Sequence, residues 1–261
     1  MNDEELTIGF DANNEVIRLQ EWIAAKVHEA GAAGVVVGLS GGIDSAVTAA
    51  LSARAVPGKV LGVIMPCHSD SHDLEDARLA AASIGIPTVT VDLSGAYDTL
   101  LAALRAARLA VPVDVGTGPG PADAMRLAEA NLKPRLRMAS LYYFANVYHY
   151  LVAGTGNRSE LEVGYFTKYG DGGVDILPIG HLVKHQVRAL ARALAIPERI
   201  IARPPSAGLW AGQTDEGEMG FTYAELDRYL LRGEGSAALR QRVESMQRQS
   251  RHKKVPPPIP S

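Results

Sequence analysis

The sequence predicts an α/β protein: a doubly wound, Rossmann-like parallel sheet of five strands with helices on both faces. Three observations predict it. Short apolar runs at residues 35–39, 60–65, 88–93 and 150–155 have the continuous hydrophobicity of strands buried on both faces. Helical periodicities separate them at spacings that fit βαβ crossovers. Turns rich in glycine or proline close the units, the first of them Ser40-Gly41-Gly42-Ile43-Asp44-Ser45.

The elements follow in order. Residues 14–29 read as an amphipathic helix, with Val16, Ile17, Leu19, Ile23 and Val27 mostly on one stripe; Gly31 and Gly34 end it. The first strand, 35–39, leads through the Ser40–Ser45 loop into an Ala-rich helix at 44–54 that Pro57-Gly58 breaks. A strand at 60–65, a helix at 73–84 and a strand at 88–93 complete the first half. Residues 97–109 look helical. Residues 111–121, rich in Gly and Pro, predict a mobile loop. Helical patterns run over 122–148, interrupted near Pro134. The strand at 150–155 and a polar, glycine-rich loop at 164–173 follow. A helix is predicted at 183–194. Residues 203–220 carry two prolines and four glycines and read as a second mobile loop that orders on binding. Thr222 caps a helix at 222–231, with Glu225 completing a capping box. A last helix is predicted at 236–249. Residues 250–261 are expected to be a flexible tail, polyproline-like from Val255. No repeat or linker divides the chain, so a single domain over 1–261 is expected.

Composition narrows the function. Of 261 residues, 47% are hydrophobic and 21% charged, the balance of a soluble globular protein. A net charge of −3 favours no nucleic acid, although Arg251-His252-Lys253-Lys254 is a local basic cluster. The single cysteine, Cys67, excludes an internal disulfide and a cysteine-rich zinc site. No apolar run is long enough for a membrane span, and the acidic N-terminus lacks a signal-peptide pattern. A cytoplasmic location is expected.

The Ser40–Ser45 loop carries the strongest chemistry. Adjacent glycines let backbone N–H groups approach an anion, and the following helix adds its positive end. Gly38, Leu39, Ser40, Gly41, Gly42, Ile43, Asp44 and Ser45 are therefore candidates to bind a phosphate-like anion, which the resemblance given below implies is ATP. Asp44 would repel phosphate unless a cation stands between them, which argues for Mg²⁺. From spacing alone, a glycine turn with Asp44 as helix cap remains open. The Walker pattern is absent, and Gly154-Thr155-Gly156-Asn157 matches only the start of a dinucleotide-binding fingerprint.

Ser-Gly-Gly-Ile-Asp-Ser resembles the SGGxDS loop of the N-type ATP pyrophosphatases. That likeness implies a fold of the adenine-nucleotide alpha-hydrolase type and attack at the α-phosphorus of ATP. Further stretches resemble the NAD synthetases within that superfamily. They are residues 131–138 (NLKPRLRM), 154–160 (GTGNRSE), 164–173 (GYFTKYGDGG) with Asp175 and Pro178, 204–210 (PPSAGLW) with 213–216 (QTDE), and His252-Lys253-Lys254. The resemblance implies that Thr155, Lys184 and Ser206 contact ATP. It implies that Arg135, Lys168, Asp175, His252 and Lys253 contact deamido-NAD. Glu160 would join Asp44 on Mg²⁺. Ser206 stands where many members have threonine, and it keeps the hydroxyl.

The implied reaction is ATP-dependent amidation of deamido-NAD through an adenylylated intermediate, the final step of NAD biosynthesis. Asp44, Asp175 and Lys184 are the candidate catalytic residues, with Asp175 proposed to hold ammonium and accept a proton. The pattern begins near residue 15, which leaves no room for a glutaminase, so free ammonia is the expected donor. Relatives are homodimers, and residues 122–148 are a plausible interface. Another amide-forming or tRNA-modifying ATP pyrophosphatase is the alternative, and a nucleotide-binding regulator that has lost catalysis is a second.

Overall fold

A computed structural model describes residues 6–109, 121–210 and 212–260, with main chain only at 121–124. The chain opens with α1 (Ala12–Glu29), capped by the Asp11 side chain, which accepts from the N–H groups of Asn13 and Asn14. Val16, Leu19, Ile23 and Val27 are its buried stripe. Ile17, counted with them in the sequence, is exposed. Burial decides this helix. Each such side chain contributes roughly 1.5–3 kcal/mol. The exposed pairs Glu15–Arg18 and Lys26–Glu29 contribute only about 0.2–0.5 kcal/mol each.

Next come β1 (Gly34–Leu39), α2 (Ile43–Ala55), β2 (Val60–Ile64), α3 (Ser71–Ile84), β3 (Thr88–Thr90) and α4 (Ser94–Leu109). After the undescribed stretch come α5 (Pro121–Ala130), α6 (Leu132–Tyr148), β4 (Tyr150–Ala153) and α7 (Arg158–Val163). The last part holds α8 (Lys184–Ala193), α9 (Glu198–Ile201), α10 (Asp215–Met219), α11 (Tyr223–Arg232) and α12 (Ala237–Lys254).

The sheet order is β3-β2-β1-β4, and every pairing is parallel. Alternate residues of β1 serve two cores. Val35, Val37 and Leu39 pack with α1, α2 and α8; Val36 packs with Tyr97 of α4 and Ala145 of α6. Helices therefore cover both faces, as expected. The chain proceeds from β1 to one edge and returns to β1's other side as β4. Ligand crevices form at such reversals, beyond the carboxyl ends of the strands. A third cluster, built from Val163, Met219, Phe221, Tyr223, Leu226, Leu239 and Val243, joins α7, α10, α11 and α12.

Three expectations need correction. Among the described residues the sheet has four strands, not five. Ile176 makes a single parallel bridge to Ala153 where a fifth strand would begin. The ladder stops there because the next residue placed to donate is Pro178, which has no N–H. The helical break expected near Pro134 falls at Asn131 instead. Pro134 sits in the first turn of α6, where its missing N–H is no loss. The tail expected from residue 250 starts after Lys254, because α12 runs through that residue and buries Ser250. Of the two expected mobile loops, 111–121 lies outside the described residues except for Pro121. The other, 203–220, contains α10.

Gly164 explains how α12 docks. It caps α7 in the left-handed region at φ 68°, and a Cβ there would fall 1.9 Å from Ser250 Cβ. Lys253 then donates to the carbonyls of Gly164 and Phe166, both at 2.8 Å. Gly164→Ala is expected to cost about 2–4 kcal/mol through backbone strain and overlap. Thermal denaturation should show that loss, and limited proteolysis should show earlier cleavage within α12.

Candidate active site

β1 delivers the Ser40–Ser45 loop to the carboxyl end of the sheet, beside the β1/β4 reversal. The loop closes on itself through hydroxyls. Ser45 Oγ donates to the Gly42 carbonyl at 2.9 Å and lies 3.2 Å from Ser40 Oγ. Gly42 N–H donates to Ser40 Oγ at 3.2 Å. Gly41 has φ 80°, and a Cβ on it would stand 2.6 Å from the Asp73 carbonyl. Only glycine lets the loop run this close to α3. Gly42 is the N-cap of α2 and places Asp44 in its first turn.

This loop floors a cleft of about 290 Å³. Gly38, Leu39, Ser40, Gly42, Ile43, Asp44, Ser45, Thr155, Glu160, Lys184 and Ser206 all line it. Every predicted ATP or metal residue except Gly41 thus meets in one place; Gly41 lies behind the loop. They arrive on five separate segments, which the parallel sheet gathers at one end.

The centre of the cleft is an ion cluster. Lys184 Nζ donates to Asp44 Oδ2 at 2.5 Å and reaches Glu160 Oε1 at 3.4 Å. Lys184 is 2% exposed. Burial pulls its pKa down, but Asp44 and Glu160 outweigh burial and the net shift is upward. Burial pushes Glu160 up to about 8; Lys184 opposes that and the charge of Asp44 adds to it. Asn157 ties the two carboxylates together. Its side chain donates to Asp44 Oδ1 at 3.1 Å and accepts from the Glu160 N–H at 3.0 Å, while its own N–H donates to Glu160 Oε2 at 3.2 Å. Glu160 is therefore both a capping-box carboxylate of α7 and a wall of the cleft.

A second, fully buried network supports the first. Asp227 on α11 accepts from Ser159 Oγ at 2.5 Å, from the His185 N–H at 2.9 Å and from His185 Nδ1 at 2.6 Å. Ser159 Oγ in turn accepts from the Lys184 N–H at 3.1 Å. One carboxylate thereby locks the start of α8 against α7, fixing Lys184 relative to Glu160. Neither His185 nor Asp227 is among the residues that the sequence singles out.

The predicted deamido-NAD residues lie outside the cleft lining. Four of them form one flank. Arg135 Nε donates to the Lys168 carbonyl at 3.4 Å, Lys168 Nζ to the His252 carbonyl at 2.7 Å, and Lys253 anchors the same loop. Asp175 stands apart from that flank. It is held by Tyr142 Oη at 2.9 Å and the Val152 N–H at 2.8 Å. Tyr142 lies two turns beyond Arg135 on α6, so both sets share one face of that helix.

Sequence reasoning missed other cleft residues. Arg137 hydrogen-bonds the Met65 carbonyl at 3.1 Å and Ser69 Oγ at 3.4 Å, with no carboxylate partner among the described residues. Burial disfavours its charge. Arg203 bridges Asp73 and Asp76 of α3. Asp215 and Tyr165 also line the cleft. Arg137, Asp215 and Tyr165 lay inside stretches quoted for the family, but their local spacing carried no signal of a role. Asn157 was legible, since Asn-x-x-Glu is a capping box in the sequence.

Fold and site together define an α/β protein of the nucleotide-binding class, with a glycine loop and an ion cluster at the carboxyl end of a parallel sheet. The family model described as NAD synthase matches residues 15–257, and the chain belongs to that family. The NH(3)-dependent NAD(+) synthetase of Carboxydothermus hydrogenoformans is 54% identical, covering 93% of this chain and 95% of its own. The one from Syntrophomonas wolfei is 46% identical over 92% and 93%. A solved structure of NMN synthetase from Francisella tularensis superposes with TM-score 0.86 at 36% identity, covering 96% of this chain and 99% of that one.

Asp227→Asn offers a test of the buried network. The amide cannot accept at both ends, so Ser159 or His185 loses its partner. A drop in kcat of about tenfold or more is expected, with about 1–3 kcal/mol of stability lost. Steady-state kinetics beside denaturant unfolding measure both. An unchanged kcat at reduced stability would leave Asp227 a purely structural role.

Proposed function

We infer that the chain makes NAD from deamido-NAD, ATP and ammonia, releasing AMP and pyrophosphate. One observation carries the reading: the anion-binding loop, Lys184 and two carboxylates converge at one cleft in a chain of the NAD synthase family. The relatives named NH(3)-dependent support ammonia as the nitrogen donor.

Asp44 and Glu160 fit a magnesium ion. Both turn toward one positive charge already, and their side chains stay 17% and 16% exposed on the cleft side. Among the described residues no three His, Cys, Asp or Glu side chains make a ready metal cluster. A hard ion that takes two carboxylates and completes its shell with phosphate oxygens and water suits such a pair. When bound, it neutralises charge on the triphosphate.

The residues divide the chemistry as follows. Backbone N–H groups of the Ser40–Ser45 loop and the positive end of α2 receive the departing pyrophosphate. Lys184 places a fixed ammonium beside the phosphates, and Thr155 and Ser206 offer hydroxyls to ATP. The nicotinate carboxylate attacks the α-phosphorus, breaking its bond to the bridging oxygen and forming an acyl adenylate. Ammonia then adds to the acyl carbon, loses a proton, and AMP leaves. Positioning and charge stabilisation supply most of the acceleration. Arg135, Lys168, His252 and Lys253 present a basic flank for the dinucleotide's pyrophosphate. Asp175 is assigned to the substrate's nicotinate end and the ammonium proton. Its support is the α6 face it shares with Arg135. The single thiol, Cys67, is buried and unpaired, which suits a cytoplasmic enzyme.

We also place the chain in a homodimer, with no nucleic-acid partner. Tyr143, Val147 and Tyr148 on α6 and Leu127 on α5 are 65%, 58%, 50% and 52% exposed, on the region expected to be the interface. Light scattering is expected to give twice the mass of one chain. Paired Tyr143→Glu and Tyr148→Glu changes should halve it.

The Francisella likeness favours a second substrate, nicotinate mononucleotide, on the same chemistry. One assay separates the readings: purified chain, ATP, Mg²⁺ and ammonium with either acid, and product read by a dehydrogenase or by chromatography. Deamido-NAD is expected to win by about tenfold or more in kcat/KM, since a basic flank rewards the extra phosphate. A preference for the mononucleotide would reassign the substrate. Asp44→Asn should lower kcat by about 10³-fold without unfolding the protein. Activity near the unaltered level would remove the metal role.

A further inference from the structure

Asp215 lines the cleft, yet no step above uses it. Its side chain is 4% exposed. Oδ2 accepts from Tyr223 Oη at 3.0 Å, while Oδ1 is buried without a hydrogen-bond partner. The Tyr165 hydroxyl stands beside Asp215 and favours its charged form, but it directs its hydrogen to Glu218 at 2.5 Å. Lys184 directs its ammonium to Asp44 and Glu160. Three carboxylates, Asp44, Glu160 and Asp215, therefore face one ammonium in the same cleft wall.

A buried acceptor without a donor calls for a ligand that donates or is positive. Two cations take part in the reaction read above. Magnesium keeps several waters in a strict octahedron and needs an open site. Oδ1 sits under tyrosine hydroxyls with almost no solvent access. Ammonium sheds water readily, donates four N–H groups in a tetrahedron, and is at home beside phenol oxygens and rings. We propose that Asp215 Oδ1, with the Tyr165 and Tyr223 hydroxyl oxygens, is the docking subsite for the ammonium that supplies the transferred nitrogen. It rests on the reading that ammonia is the donor.

Steady-state kinetics test it in two arms. Potassium has nearly the radius of ammonium. In the unaltered protein it is expected to raise the apparent KM for ammonium competitively, and lithium is not. An ammonium KM that potassium leaves unmoved overturns the subsite. In Asp215→Asn, the KM for ammonium is expected to rise about tenfold or more, with the KM for ATP and the Mg²⁺ requirement within about twofold. An unchanged ammonium KM, or a shifted Mg²⁺ requirement instead, overturns the proposal. If the variant does not fold, the potassium arm decides alone. Failure of the underlying reading looks different: the unaltered protein would then make no NAD at any ammonium concentration.

Discussion

The buried ammonium of Lys184 is the constraint on which the rest of the site depends. It opens α8, at the end of a helix whose dipole already repels positive charge. It is also almost wholly out of water. Either circumstance alone would drive a lysine to deprotonate or to leave. Asp44 and Glu160 reverse that balance, and the ammonium is held more firmly than in solution. Breaking such a buried pair costs about 3–5 kcal/mol. The sheet must therefore deliver β1 and β4, the two strands either side of the reversal, with α2, α7 and α8 in fixed relation. ATP bound as proposed would bring its anions to a place already arranged for them.

That arrangement explains how a carboxylate can sit in a loop proposed to receive phosphate. Asp44 follows two glycines at the start of α2, where anionic phosphate is favoured and anionic side chains compete with it. In the structure its charge is met by Lys184 and the Asn157 amide. Asp44 faces the Lys184 ammonium, and the magnesium proposed above would share that environment. The alternative drawn from spacing, a plain helix cap, does not describe it, since Gly42 is the N-cap of α2 and makes no side-chain cap.

How much was legible follows from which residues interact locally. The loop, the strands of β1 and β2, and the Thr222–Glu225 box are set by neighbours a few residues apart, and the sequence displays them. The residues proposed for ATP were named through resemblance, and the cleft collects all of them but Gly41. The weak points were pairings across long separations. Whether Ile176 starts a strand depends on Pro178 standing opposite the one acceptor that matters. Where α12 ends depends on Gly164, some 90 positions earlier, admitting Ser250 and Lys253. Asp227 gave no signal at all, because a single acid on an amphipathic helix looks solvated until α7 and α8 close over it.

The same reasoning separates the cleft's acids by what each can accept. Asp44 and Glu160 keep part of their surface open and are bonded by donors that leave lone pairs toward the cleft. They suit a strongly hydrated ion that shares them with phosphate. Asp215 is more enclosed, opposes two phenols, and keeps one oxygen wholly unsatisfied. Leaving it so costs about 1–3 kcal/mol in the unliganded protein. A fold that placed Asp215 there only for stability would gain by replacing it with an amide or an apolar residue of similar size. Its retention in this chain is physically intelligible if the missing donor arrives with a substrate. Of the ligands in the reaction, the nitrogen donor is the one that is small, positive and rich in N–H.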